Sequence, residues 1–415
     1  MNIGCKSTTV LARLIAKTVY RLLRGIEKGR LELVLPEGTV RGFGKEAQGI
    51  RYPRILVNDY RFFTRLAFGG EIGLGEAYVD GLWDCDDLTN AFTLLIENRE
   101  ALSDGNLAWS AVSRSRNYRL HRSKLNTVDG CRENIAAHYD LSADFYKTFL
   151  DETMTYSCGI FHSGNESLQQ AQLNKMHSVM KKACIGHDDH VLEIGCGWGG
   201  FAVEAVRATG CRMTLITVSR AQYEYVREKV RQEGLEDRIE VLCEDYRTVR
   251  GLYDKIISIE MLEAVGHEHL GDFFERCEKL LKPWGVAVLQ VITIPDARYE
   301  RHRSQPNWIQ KHIFPGGLLP SLTALCDAMT AHSRLQIEHV ENIGIHYAQT
   351  LMHWRDRLVQ AWDSLSRMGF DRTFKRTWLY YFSLCEAQFG LRVLNDLQIV
   401  LTREGNRSLR GGAPA

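Results

Sequence analysis

The chain has 415 residues, 45% hydrophobic and 25% charged, with a formal net charge of +1. That length suits two domains or one large domain with additions, and the near-neutral charge gives no global attraction to nucleic acid, so no nucleic-acid partner is expected. No run reaches the ~18 apolar residues of a spanning helix, no signal peptide is visible, and the 11 cysteines show no CxxC pair or metal-like spacing, which points to free thiols in a reducing cytoplasm and to no metal site.

The first ~30 residues read as a basic amphipathic helix. Leu11, Leu14, Ile15, Leu22, Leu23 and Ile26 can share one side, while Lys6, Arg13, Lys17, Arg21, Arg24 and Lys28 crowd the other. Such a helix either lies on an anionic membrane surface or packs on its own domain with a solvated face. "LELVLP", "RILVND" and "RFFTRLAF" then read as strands with Gly-rich turns, and "LTNAFTLLIENRE" as a helix, so residues 1–103 form a small α+β domain. Residues 104–128 carry Arg114, Arg116, Arg119, His121, Arg122 and Lys124 with few acids. They read as a basic linker, either a solvated connector or a segment drawn to anionic lipid by ~1 kcal/mol per cation.

A long α/β pattern occupies residues 129–405, followed by a tail, 406–415. The strands are "HVLEIG", "RMTLITVS", "RIEVLC", "YDKIISIE" and "GVAVLQVITI", alternating with helices such as "FAVEAVRATG" and "RAQYEYVREKVRQEG"; "RLQIEHVENIG" and "DLQIVLTRE" add late strands. Alternation of this kind implies a doubly wound parallel sheet whose ligands sit outside the carboxyl ends of the strands. The helix from about His346 places Tyr347, Leu351, Trp354, Leu358 and Trp362 on one face, which core packing alone would explain.

The stretch "VLEIGCGWGGFA" from Val191 is strand, tight turn and helix. A dinucleotide site expects an acid at the end of the second strand, but Thr217, Val218 and Ser219 stand there. Glu193 instead precedes the glycines, and Asp245 follows the third strand in "EDYR". Acids in these places suit a cationic, adenosyl-bearing ligand, S-adenosylmethionine, better than a pyrophosphate.

Six separated motifs, "HYDLSADFYKTFLDETMTYSCGIF", "LEIGCGWGG", "ITVSRAQ", "EDYR", "IEMLEAVGHEHL" and "WIQKHIFPGGLLPS", fall in the order of the cyclopropane-fatty-acyl-phospholipid synthase family, and the resemblance covers Asn134 to Arg403. It implies the class I methyltransferase fold and transfer of a methyl group from S-adenosylmethionine to the double bond of a lipid acyl chain. It implies that Tyr156 and Ser157 touch the cofactor, that Gly195 and Gly197 let the backbone pass beneath it with Glu193 organising the turn, that Thr217 and Gln222 replace the ribose-binding acid, and that Asp245 and Tyr246 lie near the adenine. Cys158, Glu263, Ile292 and Tyr347 match the positions that surround a bicarbonate ion, the family's general base. The implied partners are membrane phospholipids with unsaturated chains, reached from an anionic membrane surface on the cytoplasmic side by peripheral binding. The longer members often pair, which leaves a homodimer open.

The chemistry needs a positioned electrophile, an apolar tunnel that keeps water from the acyl carbocation, and aromatic faces that stabilise it. Tyr139, Phe145, Tyr347 and Phe382 are candidates for those faces or for ordinary aromatic core. Loss of a proton from the new methyl group closes a cyclopropane. The chain departs from the resemblance at Gln290, where the synthases carry His, and at Ala264, where His also is common. Gln can hydrogen-bond an anion but cannot carry a proton near neutral pH. The implied product is a cyclopropane fatty acid, and Gln290 opens the alternative of proton loss from the chain and a methyl-branched unsaturated product. A lipid-binding protein with a decayed site, and a methyltransferase acting on a small amine or a protein, fit the motifs less well.

Overall fold

The computed structural model describes residues 3–45, 52–103, 141–407 and 409. The basic linker, residues 129–140 with Tyr139, and most of the tail lie outside them. Two units divide the chain. One comprises the described residues of Met1–Arg122 together with Ser304–Ile313 and Trp362–Leu391; the other comprises the rest.

In the first unit, α1 (Ile3–Leu23) is followed by β1 (Arg30–Val34), where Leu31 and Leu33 are buried between half-exposed neighbours, the period-two pattern of a strand with one covered face. β1 pairs antiparallel with β2 (Val40–Gly44) and parallel with β3 (Arg54–Val57), giving the sheet order β2-β1-β3-β4 once β4 (Trp83–Cys85) joins β3. Between β3 and β4 the expected strand "RFFTRLAF" is instead the start of α2 (Arg61–Val79). The two phenylalanines suggest a strand by composition, but Phe62, Phe63 and Ala67 are buried together, a helical spacing that packing selects. α2 kinks at Gly70, whose φ of 56° and ψ of −135° favour glycine. α3 (Leu88–Glu97) matches its expectation and is capped by Asp87.

The buried stripe of α1 also differs from expectation. Ala12, Ile15, Ala16, Val19 and Leu23 are buried, whereas Leu11 and Leu14 are 57% and 56% exposed on the side that carries Arg13, Lys17 and Arg21. Small alanines, not the outer leucines, set the close-packed face.

The later segments of this unit fall within the α/β stretch 129–405. Within the helix Arg372–Gly390, Arg376 donates to the carbonyls of Tyr78 and Trp83 at 2.6 and 2.7 Å and pairs with Asp84 at 2.5 Å. Trp308 packs its ring 4.4 Å from that of Tyr380. Trp362, expected on the face of Tyr347, opens a separate short helix of this unit.

In the second unit, α4 (Leu168–Ala183) leads into β5 (His190–Ile194), α5 (Gly200–Thr209), β6 (Arg212–Ile216), α6 (Arg220–Gln232), β7 (Ile239–Leu242), β8 (Tyr253–Ile259), α7 (Leu270–Leu280) and β9 (Leu281–Thr293). Then follow β10 (Leu335–Asn342), α8 (Ile345–Gln360) and β11 (Asn395–Arg403). The seven-stranded sheet has the order β10-β11-β9-β8-β5-β6-β7. β5 to β9 are mutually parallel, as expected, while β11 runs antiparallel to β9 and β10 antiparallel to β11. Val191 joins the apolar layer of α4, α5 and α6; Leu192 and Ile194 join that of α7. Burial on both faces explains why β5 reads as a nearly unbroken apolar run. Chain order reverses on either side of β5, so the crevice at its carboxyl end is the topological switch point.

Candidate active site

At that switch point the backbone after Ile194 turns through Gly195, Gly197 and Gly199, with φ of 83°, 52° and 77°. A side chain at Gly195 would bring its Cβ to 2.8 Å from Met261, so the turn requires glycine there for both conformation and space. α5 begins at once, and its first residues, Gly200 and Phe201, line the crevice.

All nine residues expected to hold the cofactor line the pocket that opens here. Tyr156 stacks on Trp354 with ring centroids 5.0 Å apart, and Ser157 Oγ accepts from Lys175 Nζ at 2.8 Å. Thr217 Oγ1 donates to Gln222 Oε1 at 2.7 Å and accepts the Ser219 N–H, tying the end of β6 to the start of α6. Asp245 is clasped by the Arg247 guanidinium at 2.8 and 2.7 Å, and Tyr246 lies edge-on to Phe273. Glu193 is buried, and its Oε2 has no hydrogen-bond partner among the described residues. Burial pushes this carboxyl up to about 8, with Lys175 drawing it back in part.

The five catalytic candidates do not line the pocket. Three of them, Cys158, Gln290 and Tyr347, converge on a residue that does, Glu260. The Cys158 backbone N–H donates to Glu260 Oε1 at 2.8 Å, Gln290 Nε2 donates to the same oxygen at 2.8 Å, and the Tyr347 hydroxyl donates to Oε2 at 2.6 Å. Glu263 turns aside and accepts the Ile292 N–H, while its Oε2 is buried without a partner among the described residues. Gln290 is fully fixed: its amide also donates to Asp396 Oδ2 at 2.9 Å, and its carbonyl accepts from Gln398 at 3.0 Å. Cys158 contributes its backbone, because its thiol is buried and pushed well above the usual range by desolvation and is no nucleophile.

Glu193, Glu260 and Asp396 thus stand near one buried cation, Lys175, and Glu263 stands near Glu260. Glu260 and Glu263 are half-buried, and burial is still the largest influence on each carboxyl. Burial, with the Glu260 charge added, pushes Glu263 up to about 8. Asp396 is raised well above the carboxylate range by burial first, then by Glu260 and Glu263. Burial raises the Glu260 carboxyl too, but its three donors and the Lys175 charge draw it back, so of these carboxyls it is the one whose charged form is best supported. An aromatic wall adjoins: Trp354 lies 5.9 Å from Tyr347 and 6.1 Å from Phe149, which packs on Phe145. Phe382, also expected to shield the cation, belongs to the other unit, where it packs on Trp378.

Residues 127–399 match the family model described as mycolic acid cyclopropane synthetase. The chain belongs to the mycolic acid cyclopropane synthetase family. It is 36% identical over 411 residues to the tuberculostearic acid methyltransferase UfaA1 of Mycobacterium tuberculosis, covering 97% of this chain and 93% of that one. It is 31% identical over 360 residues to the cyclopropane-fatty-acyl-phospholipid synthase of Escherichia coli K12, covering 86% and 89%. The structure of mycolic acid cyclopropane synthase CmaA1 complexed with SAH and CTAB is similar with a TM-score of 0.61 and 29% identity, over 66% of this chain and 98% of that one.

This member of the mycolic acid cyclopropane synthetase family is accordingly an S-adenosylmethionine-dependent methyltransferase with the class I fold. The sequence reading of the family motif took Glu263 and passed over Glu260, three residues earlier in "IEMLE". It also missed Lys175, whose burial in α4 only packing reveals, and Asp396, which the β9–β11 register sets opposite Ile292. A visible signal for Glu260 was its place at the carboxyl end of β8, where parallel sheets present their functional side chains.

Proposed function

We propose that the chain transfers the methyl group of S-adenosylmethionine to the double bond of an unsaturated acyl chain in a membrane phospholipid and releases that chain methyl-branched and still unsaturated. The carrying observation is the centre around Glu260, where an immobilised Gln290 replaces a proton-carrying histidine. The likeness to a tuberculostearic acid methyltransferase over 97% of the chain supports the same reading.

The residues fit the donor. The sharp glycine turn admits a close approach, and Glu260 and the orphaned Glu193 oxygen, both of residues that line the pocket, favour a cationic ligand. Tyr156, Ser157, Gly195, Gly197, Thr217, Gln222, Asp245 and Tyr246 would hold it, with Glu193 bracing the turn. S-adenosylmethionine supplies an electrophilic methyl group on sulfur. The chain's own residues orient the acceptor, exclude water through the Tyr347, Trp354 and Phe149 wall, and face the acyl cation with aromatic surface.

A second reading, cyclopropane formation, is favoured by the placement of Cys158 and Tyr347 on Glu260 and of Ile292 on the neighbouring Glu263. Purified protein, S-adenosylmethionine and monounsaturated liposomes decide between them. Both products gain one CH2, so the released fatty acids are resolved by NMR. The expected result is a retained alkene beside a new branch; cyclopropane resonances overturn it.

No helix among the described residues is long and apolar enough to cross a membrane. We place the enzyme on the cytoplasmic membrane surface through the outer side of α1, where Leu11 and Leu14 are exposed beside Arg13, Lys17 and Arg21. Replacing Lys17 and Arg21 by alanine should weaken sedimentation with anionic liposomes by about 1 kcal/mol per charge. Equal binding of variant and parent at low salt would remove α1 from this role.

A further inference from the structure

Resting on the acyl-methylation reading, we propose that the Glu260 carboxylate takes the place of bicarbonate and is itself the base that accepts the proton from the methylated acyl cation. Bicarbonate was expected among Cys158, Glu263, Ile292 and Tyr347. In the structure the Cys158 N–H and the Tyr347 hydroxyl are already spent on Glu260, and Gln290 adds a third donor. Ile292 gives its N–H to Glu263. A carboxylate offers the same pair of oxygens on one carbon as bicarbonate does, held by a tether. A free anion would find these donors taken and Glu260's own charge beside it.

Two further observations agree. Glu260 lines the cofactor pocket, whereas Cys158, Glu263, Gln290, Ile292 and Tyr347 do not, so it is the member of the group that adjoins the space where the methyl donor would bind. Its backbone also has a φ of 50°, a left-handed conformation that costs a residue with a side chain about 1 kcal/mol or more and is kept where function holds it. Glycine would be at ease there.

The step balances without another reagent. After methyl transfer the acyl chain carries one positive charge. A C–H bond next to the cationic carbon breaks, and its electron pair forms the new carbon–carbon bond. The proton passes to a Glu260 oxygen and leaves to water when the product departs.

The test uses the full chain, a Glu260→Gly variant, which suits the left-handed backbone, and a Glu260→Gln variant, which retains the side-chain bulk. Both should bind S-adenosylhomocysteine with parental affinity by calorimetry and lose about 10²–10⁴-fold in turnover, the range of a positioned general base. Turnover of the parent should be indifferent to removal of bicarbonate, and bicarbonate should restore turnover to Glu260→Gly. Independently of turnover, 13C-labelled bicarbonate should bind Glu260→Gly loaded with S-adenosylhomocysteine and not the parent, as read by NMR. Bicarbonate-dependent parental turnover, labelled bicarbonate bound by the parent, or a glycine variant that binds none overturns the proposal. If the parent methylates no lipid, the acyl-methylation reading fails, and the anion-binding comparison still decides whether Glu260 fills the bicarbonate position.

Discussion

Glu263→Gln is expected to flatten the fall of stability as pH rises. Folding lifts the Glu263 carboxyl from the usual 4.5 to about 8, through burial first and the neighbouring Glu260 charge second. Below about pH 4.5 both states hold the proton, and its contribution is fully present. As pH climbs towards about 8, the unfolded chain releases the proton while the folded chain keeps it. Stability then drops by up to about 1.4 kcal/mol per pH unit for this one group. Glutamine keeps the acceptor for the Ile292 N–H and has no proton to lose. Glu193, raised to the same value, remains in the variant, and Lys175, whose pKa burial lowers, works in the opposite direction in both proteins. Urea unfolding of parent and variant across this window isolates the difference. The parent's advantage should shrink by several kcal/mol from acid to mildly alkaline pH, an order-of-magnitude figure from the same linkage; parallel curves would mean that Glu263 is ionised in the native protein.

Lys175→Met removes the buried cation while keeping an unbranched apolar stem of similar length. The ammonium donates to Ser157 and lowers the pKa of Glu193, Glu260 and Asp396 through its field. Loss of one partner from a buried charge group costs about 3–5 kcal/mol, because the remaining charge is left uncompensated. Part of that loss is avoided if Glu260 takes up a proton, and then the base is absent at neutral pH. The variant should therefore unfold at lower denaturant, and its turnover should rise with pH along a curve shifted to higher pH. An unshifted pH profile with reduced stability would leave Lys175 a packing role alone.

The doubly wound sheet and the cofactor crevice could be read from the chain because both rest on local signals. Apolar strands alternate with amphipathic helices, and Gly195, Gly197 and Gly199 punctuate one turn. The Glu260 centre rests on signals that are far apart. Asp396 and Gln398 meet Gln290 because β11 runs antiparallel to β9, with Gln398 opposite Gln290, and no window of sequence reports that pairing. "RFFTRLAF" and the outer leucines of α1 misled for the opposite reason, since composition was used where packing decides. Trp362 fits the helical spacing of Tyr347 and Trp354, yet the chain turns at Ala361 and carries it into the other unit.

The three-stretch construction of the first unit sets a timetable for synthesis. Its early strands emerge from the ribosome long before the helix whose Arg376 bonds the Trp83 carbonyl, 293 residues away in sequence. At ~5–20 residues per second that interval is on the order of 15–60 s, during which Trp83 and Tyr78 wait without their partner. The first unit is complete in sequence only at Leu391 and the seven-stranded sheet only at Arg403. Both units must close late and nearly together, and a chaperone that shelters the waiting aromatic surface has a defined window in which to act.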